Sequence, residues 1–158
     1  MATPNKSLDV RAKQRLSYRV VFLTQSCVNS VSPHVNSIVR NGGWYILRSS
    51  QGFIGIQFGE AADRPVPADY DGDGRADVAV FRPSNGTWYL NRSTAGFVGM
   101  QFGITTDVPA PADYDGDGKA DLAVFRDGAW YLQRSTAGFT GVAFGAANDR
   151  PVPNAFVP

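Results

Sequence analysis

The chain has 158 residues, 43% hydrophobic and 18% charged, with 17 Gly and 10 Pro, the composition of one folded, turn-rich domain with its own core. Its net charge of +1 conceals an asymmetry: residues 1–40 hold six Lys/Arg against the single acid Asp9, and residues 41–158 hold nine basic against thirteen acidic side chains. Nothing here amounts to a nucleic-acid module, the lone Cys27 excludes a disulfide framework or a multi-cysteine metal site, and no run approaches the roughly 18 apolar residues of a membrane span.

Residues 1–40 read as a basic leader outside any repeat. Arg11, Arg15 and Arg19 recur at i, i+4 beside Leu8, Ala12, Leu16 and Val20, so residues 1–40 suit either a short basic amphipathic helix followed by a strand or a leader without structure of its own. The apolar stretch "VVFL" after Arg19 is too short for a secretory signal, and no small-residue cleavage site follows. His34, the only histidine, has no Ser or Cys partner in a nucleophile motif and reads as a loop residue; Cys27 reads as a plain semi-buried thiol.

From residue 41 the chain repeats itself, after 44 positions and then after 42. "GGWYILRSSQGFIGIQFG" from 42, "GTWYLNRSTAGFVGMQFG" from 86 and "GAWYLQRSTAGFTGVAFG" from 128 align Trp44, Trp88 and Trp130, and then Phe58, Phe102 and Phe144. The spacing defines a truncated first repeat over 41–67, a second over 68–111, a third over 112–153, and an apolar closing strand over 154–158. The shorter interval arises where "PSNG" contracts to "DG", a hairpin-loop change that leaves the flanking strands in register.

Each full repeat reads as four short strands, exemplified by 108–113, "ADLAVFR", "AWYLQRS" and "FTGVAFG", separated by the turn signals "DGDG", "DG" or "SNG", and "STAG". The run "ADVAVF" is apolar on both faces and should be covered on both. Tryptophans at one repeated strand position are expected in the core rather than at a sugar-binding rim. A small sheet with both faces covered and a period in the low forties is the signature of a propeller blade, so the expected fold class is all-β, with about three four-stranded antiparallel blades.

The chemistry lies in "ADYDGDGRADVAVF" and "ADYDGDGKADLAVF". Carboxylates occupy positions 1, 3, 5 and 9 of each loop: Asp69, Asp71, Asp73 and Asp77, then Asp113, Asp115, Asp117 and Asp121. A hard cation such as Ca²⁺ takes six to eight oxygens at about 2.3–2.6 Å, and a tightly curled loop with alternate residues turned inward supplies them. Position 7 contributes a backbone carbonyl, which Arg75 and Lys119 offer as well as any residue. The opening resembles an EF-hand, but position 12 is Val80 or Val124, where an EF-hand needs a bidentate Glu and an exiting helix. Without a cation four crowded carboxylates repel one another, so two calcium sites are expected, with structural roles. In the first repeat the same slots fall on Cys27, Asn29, Val31 and Val35, and no acidic loop is expected there.

These loops, with the apolar strand after each and the "FG" that closes each repeat, resemble the FG-GAP or VCBS-type repeats of integrin-alpha-like β-propellers, over about residues 41–158. The resemblance implies four-stranded blades, calcium in the loop between the first two strands, and extracellular or cell-surface work in adhesion or ligand binding. The chain departs from that pattern in lacking the "GAP" half of the signature, in its unmatched residues 1–40 and in its low repeat count. Three blades do not close a ring, so the chain is read as a piece of a longer propeller, an open arc, or half of a homodimer completing a six-bladed ring. No acid, base and nucleophile converge outside the metal loops, so no enzyme is expected. The expected function is a non-catalytic calcium-binding module for a protein or glycan partner. An oligomeric glycan-binding lectin and an accessory domain of a larger secreted enzyme are the alternatives.

Overall fold

The computed structural model describes residues 19–22, 35–48 and 51–153. Arg11, Arg15, Cys27, His34 and the apolar segment 154–158 lie outside them, whereas Arg19 and Val20, at the end of the candidate helical stripe, lie in a strand. The described residues contain no helix and form three antiparallel sheets, each a four-strand meander. The first comprises β1 (Arg19–Phe22), β2 (Val35–Arg40), β3 (Gly43–Arg48) and β4 (Gly52–Gln57). The second comprises β5 (Arg64–Pro65), β6 (Val78–Arg82), β7 (Thr87–Arg92) and β8 (Gly96–Gln101). The third repeats it with β9 (Val108–Pro109), β10 (Leu122–Arg126), β11 (Ala129–Arg134) and β12 (Gly138–Ala143). The sheets are open blades and do not close into a barrel. The first reaches four strands by taking β1 and β2 from the segment 1–40.

Turn chemistry explains how the register survives a change of loop length. Asn41–Gly42 and Asp127–Gly128 carry positive φ at both central residues, the two-residue turn whose twist matches that of the flanking strands. The longer 83–86 turn ends on Gly86, also at positive φ. A Cβ at Gly128 would stand 2.6 Å from the Gly145 carbonyl oxygen, so glycine is required by space as well as by φ. Each turn then leaves its tryptophan in the same slot, opposite Val39, Phe81 or Phe125.

The entering strands are shorter than the expected 108–113. Pro65, Pro67, Pro109 and Pro111 deny the ladder an N–H at every second position, so β5 and β9 hold two residues each. Pairing resumes where the N–H of Val66 donates to Ala79 (2.9 Å) and that of Ala110 to Ala123 (2.8 Å), and it ends in single bridges between Ala68 and Asp77 and between Ala112 and Asp121. Those bridges hold the two ends of each acidic loop together.

The core lies between sheets rather than within one. Trp44 and Ile46 of the first sheet pack on Val78 and Val80 of the second, whose opposite face, with Phe81, Trp88 and Leu90, packs on Leu122 and Val124 of the third. All of Val78–Phe81 is buried, as an apolar run covered on both faces must be. Trp44 and Trp88 are 1% and 0% exposed, which makes them core residues, and each indole N–H donates to the carbonyl of Phe58 or Phe102 (3.0 and 2.7 Å). A bidentate ion pair closes the entry to the second and third sheets, one step beyond the Arg64–Phe81 and Val108–Phe125 pairs: Arg82 holds Asp63 (2.9 and 2.9 Å) and Arg126 holds Asp107 (2.6 and 2.8 Å).

Candidate metal centre

Each acidic loop folds around its first aspartate. Asp69 Oδ1 accepts from the N–H of Gly72 (2.7 Å) and of Asp73 (3.2 Å), and Oδ2 from Gly74 (2.7 Å). Asp113 repeats this with Gly116, Asp117 and Gly118 at 2.7, 3.2 and 2.9 Å. Gly72 and Gly74 sit at φ +79° and +81°, which lets successive N–H groups converge on one carboxylate. The fifth-position acids curl the exit: Asp73 accepts from Arg75 N–H (2.8 Å) and Asp117 from Lys119 N–H (2.9 Å).

The remaining acids are held by a turn on the neighbouring hairpin. Asp71 Oδ2 accepts from the N–H of Thr94 (2.8 Å), the hydroxyl of Thr94 (2.7 Å) and the N–H of Ala95 (3.0 Å). Asp115 Oδ2 takes the same three donors from Thr136 and Ala137 (3.1, 2.6 and 3.0 Å). Ser93 donates its N–H to Asp77 (2.7 Å) and its hydroxyl to Asp73 (2.6 Å); Ser135 does the same for Asp121 and Asp117. Tyr70 and Tyr114 donate their N–H groups to the second oxygens of Asp77 and Asp121 (3.0 and 2.9 Å).

This clamp escapes a reading of the loop alone, because its donors lie about twenty positions downstream in residues typical of any turn. A signal exists in the repeats: "RSTAG" stands identically in the two repeats that carry an acidic loop, whereas the loopless first repeat reads "RSSQG".

Crowding and burial set the charge state. Burial pushes Asp77 and Asp121 up from the ordinary aspartate range; hydrogen bonds from Ser93 and Tyr70, or Ser135 and Tyr114, oppose it, and repulsion from the neighbouring acids adds to it. Burial also pushes Asp71 up, but the Thr94 and Ala95 hydrogen bonds together outweigh it and leave it lowered. For Asp115 the Thr136 hydroxyl is the leading cause of a lowered value.

Three carboxylates in each loop bring one oxygen each within 4.8 Å of the others: Asp69, Asp71 and Asp77 in the first, and Asp113, Asp115 and Asp117 in the second. Asp73 and Asp121 fall outside these two groups of three, though Asp73 shares Ser93 with Asp77 and Asp121 shares Ser135 with Asp117. Such clusters can hold a metal ion, and the hydrogen-bond inventory shows the fit. Among the described residues, the buried side-chain oxygens and nitrogens without a hydrogen-bond partner are Asp71 Oδ1 and Asp115 Oδ1. In each case the sister oxygen is saturated by three donors, so one carboxylate oxygen is fixed and unmatched, the kind of atom that a cation can satisfy.

The two loops also touch. Ala120 N–H donates to the Asp69 carbonyl (2.6 Å), and the Lys119 stem lies over Gly72, where an added Cβ would meet Lys119 Cγ at 3.2 Å. No curated protein and no solved structure matches the chain. The family model described as FG-GAP-like repeat matches residues 69–124, from the first acid of the first loop to the strand that follows the second. The segment 69–124, with both loops and the junction between their sheets, is therefore similar to an FG-GAP-like repeat.

Proposed function

We propose that this chain is a calcium-binding, non-catalytic β-propeller repeat module that binds an extracellular or cell-surface protein or glycan. The observation that carries the calcium reading is the pair of unmatched buried oxygens, Asp71 Oδ1 and Asp115 Oδ1. The donor set is all carboxylate and carbonyl oxygen, the preference of a hard divalent cation. Asp69, Asp71, Asp73 and Asp77 with the Arg75 carbonyl would hold one ion, and Asp113, Asp115, Asp117 and Asp121 with the Lys119 carbonyl the other. A bound ion supplies positive charge where four acids converge. The protein's part is to present those acids on a strand-to-strand loop that the Ser93–Ala95 and Ser135–Ala137 turns hold in place, so that occupancy ties the four strands of one blade together.

FG-GAP repeats are typically non-catalytic and extracellular, which supports a binding role outside the cell. No helix among the described residues is long and apolar enough to cross a membrane. Glycan recognition draws no support from Trp44 and Trp88, which are enclosed between sheets.

Thermal unfolding in chelator and in millimolar calcium tests the calcium reading. With a dissociation constant of about 10⁻⁴ M, an occupied site stabilises the fold by on the order of 1 kcal/mol. The wild type should therefore melt several degrees higher with calcium, and the Asp71→Ala, Asp115→Ala double variant should melt at one temperature in both. A wild-type melting point indifferent to calcium sinks the reading.

A further inference from the structure

The two acidic loops fold alike inside, but only the first has backbone from the following repeat against it. Ala120 N–H donates to the Asp69 carbonyl at 2.6 Å, and the Lys119 stem covers Gly72. Asp113 holds the matching position in the second loop, and among the described residues no N–H donates to its carbonyl. A Cβ added at Gly116, the counterpart of Gly72, would meet nothing within 4 Å.

The contact is made by groups that also belong to the two acidic sets. A trans peptide unit points its C=O and its N–H in opposite directions. The unit joining Lys119 to Ala120 therefore turns its N–H toward Asp69 and its carbonyl, the one offered above to the second ion, away from it. The unit joining Asp69 to Tyr70 accepts that N–H on its own carbonyl and donates the Tyr70 N–H to Asp77 Oδ2 (3.0 Å). Two peptide units thus stand in series, carbonyl ends toward the second loop and N–H ends toward the first. The line starts on a backbone carbonyl of one loop and ends on Asp77, whose carboxylate gathers with those of Asp69 and Asp71 in the other.

The state of the second loop sets how firmly that line is held. Lys119 and Ala120 lie between Asp117 and Asp121, and without a cation the carboxylates of the loop repel one another and work to open it. A cation offsets the repulsion, and coordination of the Lys119 carbonyl polarises its peptide unit, which makes Ala120 N–H the stronger donor. A fixed Ala120 N–H fixes the Asp69 backbone, and with it the carboxylate around which Gly72, Asp73 and Gly74 wrap their N–H groups. It also fixes the Tyr70 N–H that orients Asp77, so the first loop needs less ordering to close on its own cation. Charge works the other way, since filling one loop removes negative potential from its neighbour. At about 0.15 M salt, with a Debye length of about 8 Å, that opposing effect is reduced for loops at the surface.

We propose that the two calcium sites are positively coupled, and that the Lys119–Ala120 and Asp69–Tyr70 peptide units carry the coupling. Filling the second loop raises the affinity of the first, and by linkage filling the first raises that of the second by the same factor. The inference rests on the calcium reading above and adds regulation to it. The response to calcium is steeper than that of two independent sites. Because the line runs from the third sheet's entry loop to the second's, the same ions that close the loops also tighten the junction between those two sheets.

Calorimetric titration of the chelator-stripped full chain with calcium at about 0.15 M salt, beside Asp71→Asn and Asp115→Asn, measures the coupling. Asparagine keeps a carbonyl oxygen for the Thr94 and Ala95 donors, or for Thr136 and Ala137, and sets an amide NH2 group where the unmatched oxygen stood. The clamp therefore survives while the cation is refused. The two-ion binding constant of the wild type should exceed the product of the two single-site constants by about fivefold or more. The route has its own readout. In isotope-labelled Asp71→Asn only the second loop fills, and calcium should still slow hydrogen exchange at the Ala120 and Tyr70 amides and shift their resonances. A wild-type constant equal to that product or below it, or a Tyr70 amide indifferent to calcium in Asp71→Asn, would overturn the coupling and leave the calcium reading standing. A wild type that takes up no calcium would remove both.

Discussion

The second and third sheets carry almost the same residues in the same register, and among the described residues they differ in how many sheets pack against them. Their acidic loops keep the same hydrogen bonds donor for donor, yet Tyr70 is 7% exposed while Tyr114 is half-buried, and Trp88 is enclosed while Trp130 is not. The geometry of the acidic loop is therefore a property of one repeat, fixed by the loop itself and its hairpin turn. Enclosure of the core is a property of the junction, and comes from the next sheet.

The sharpest way to break that comparison is to truncate the equivalent tryptophans. Trp88→Ala should cost about 3–5 kcal/mol by denaturant unfolding, the range for a large aromatic removed from a closed core. Trp130→Ala should cost about half as much, because its surroundings are already partly solvent. Equal losses would mean that the third sheet is as enclosed as the second.

The ion pairs give the next largest contrast. Asp107 is 0% exposed and Arg126 keeps 28% of its side chain in solvent, so Asp107→Ala should cost roughly 2–3 kcal/mol, below the range for a pair buried on both sides. Asp149→Ala, at the exposed equivalent, should stay within about 0.5 kcal/mol. Paired unfolding curves check both.

The smallest effect concerns pH, and it separates acids within one loop. The raised Asp77 and Asp121 favour the proton in the fold, so in chelator their contribution to stability is present at acidic pH and is lost as pH rises through their folded values. Asp71 and Asp115 are lowered and act in the opposite sense, their stabilisation being lost only as pH falls below the ordinary aspartate range. A cation must displace the protons on Asp77 and Asp121. The calcium-dependent rise in melting temperature should accordingly be full at pH 7 and fade as pH falls, beginning above the ordinary aspartate value, while Asp71 and Asp115 are still ionised. A rise that persists unchanged below that value would contradict the assignment.

Local signals made much of this molecule legible in its sequence. The repeat spacing, the strand assignments after each loop, the core tryptophans and the acidic positions follow from periodicity and turn chemistry, all within one repeat. The Ser93–Ala95 clamp was hidden because "STAG" reads as an ordinary turn until the hairpin folds it over the loop. The Asp63–Arg82 and Asp107–Arg126 pairs, 19 residues apart, depend on the register of the short entering strands against β6 and β10, which two-residue strands interrupted by proline do not reveal in sequence. One strand is expected in residues 1–40 and two are present: "RVVF" and "VNSIVR" lack the loop that marks the second and third repeats, and only pairing with β3 reveals them as blade strands.

Calorimetric titration of the chelator-stripped chain with calcium tests the central claim most directly, because it counts ions. The account predicts two sites in the wild type, one in Asp71→Ala, one in Asp115→Ala and none in the double variant. Absence of binding heat in the wild type, or a stoichiometry untouched by either substitution, would contradict it.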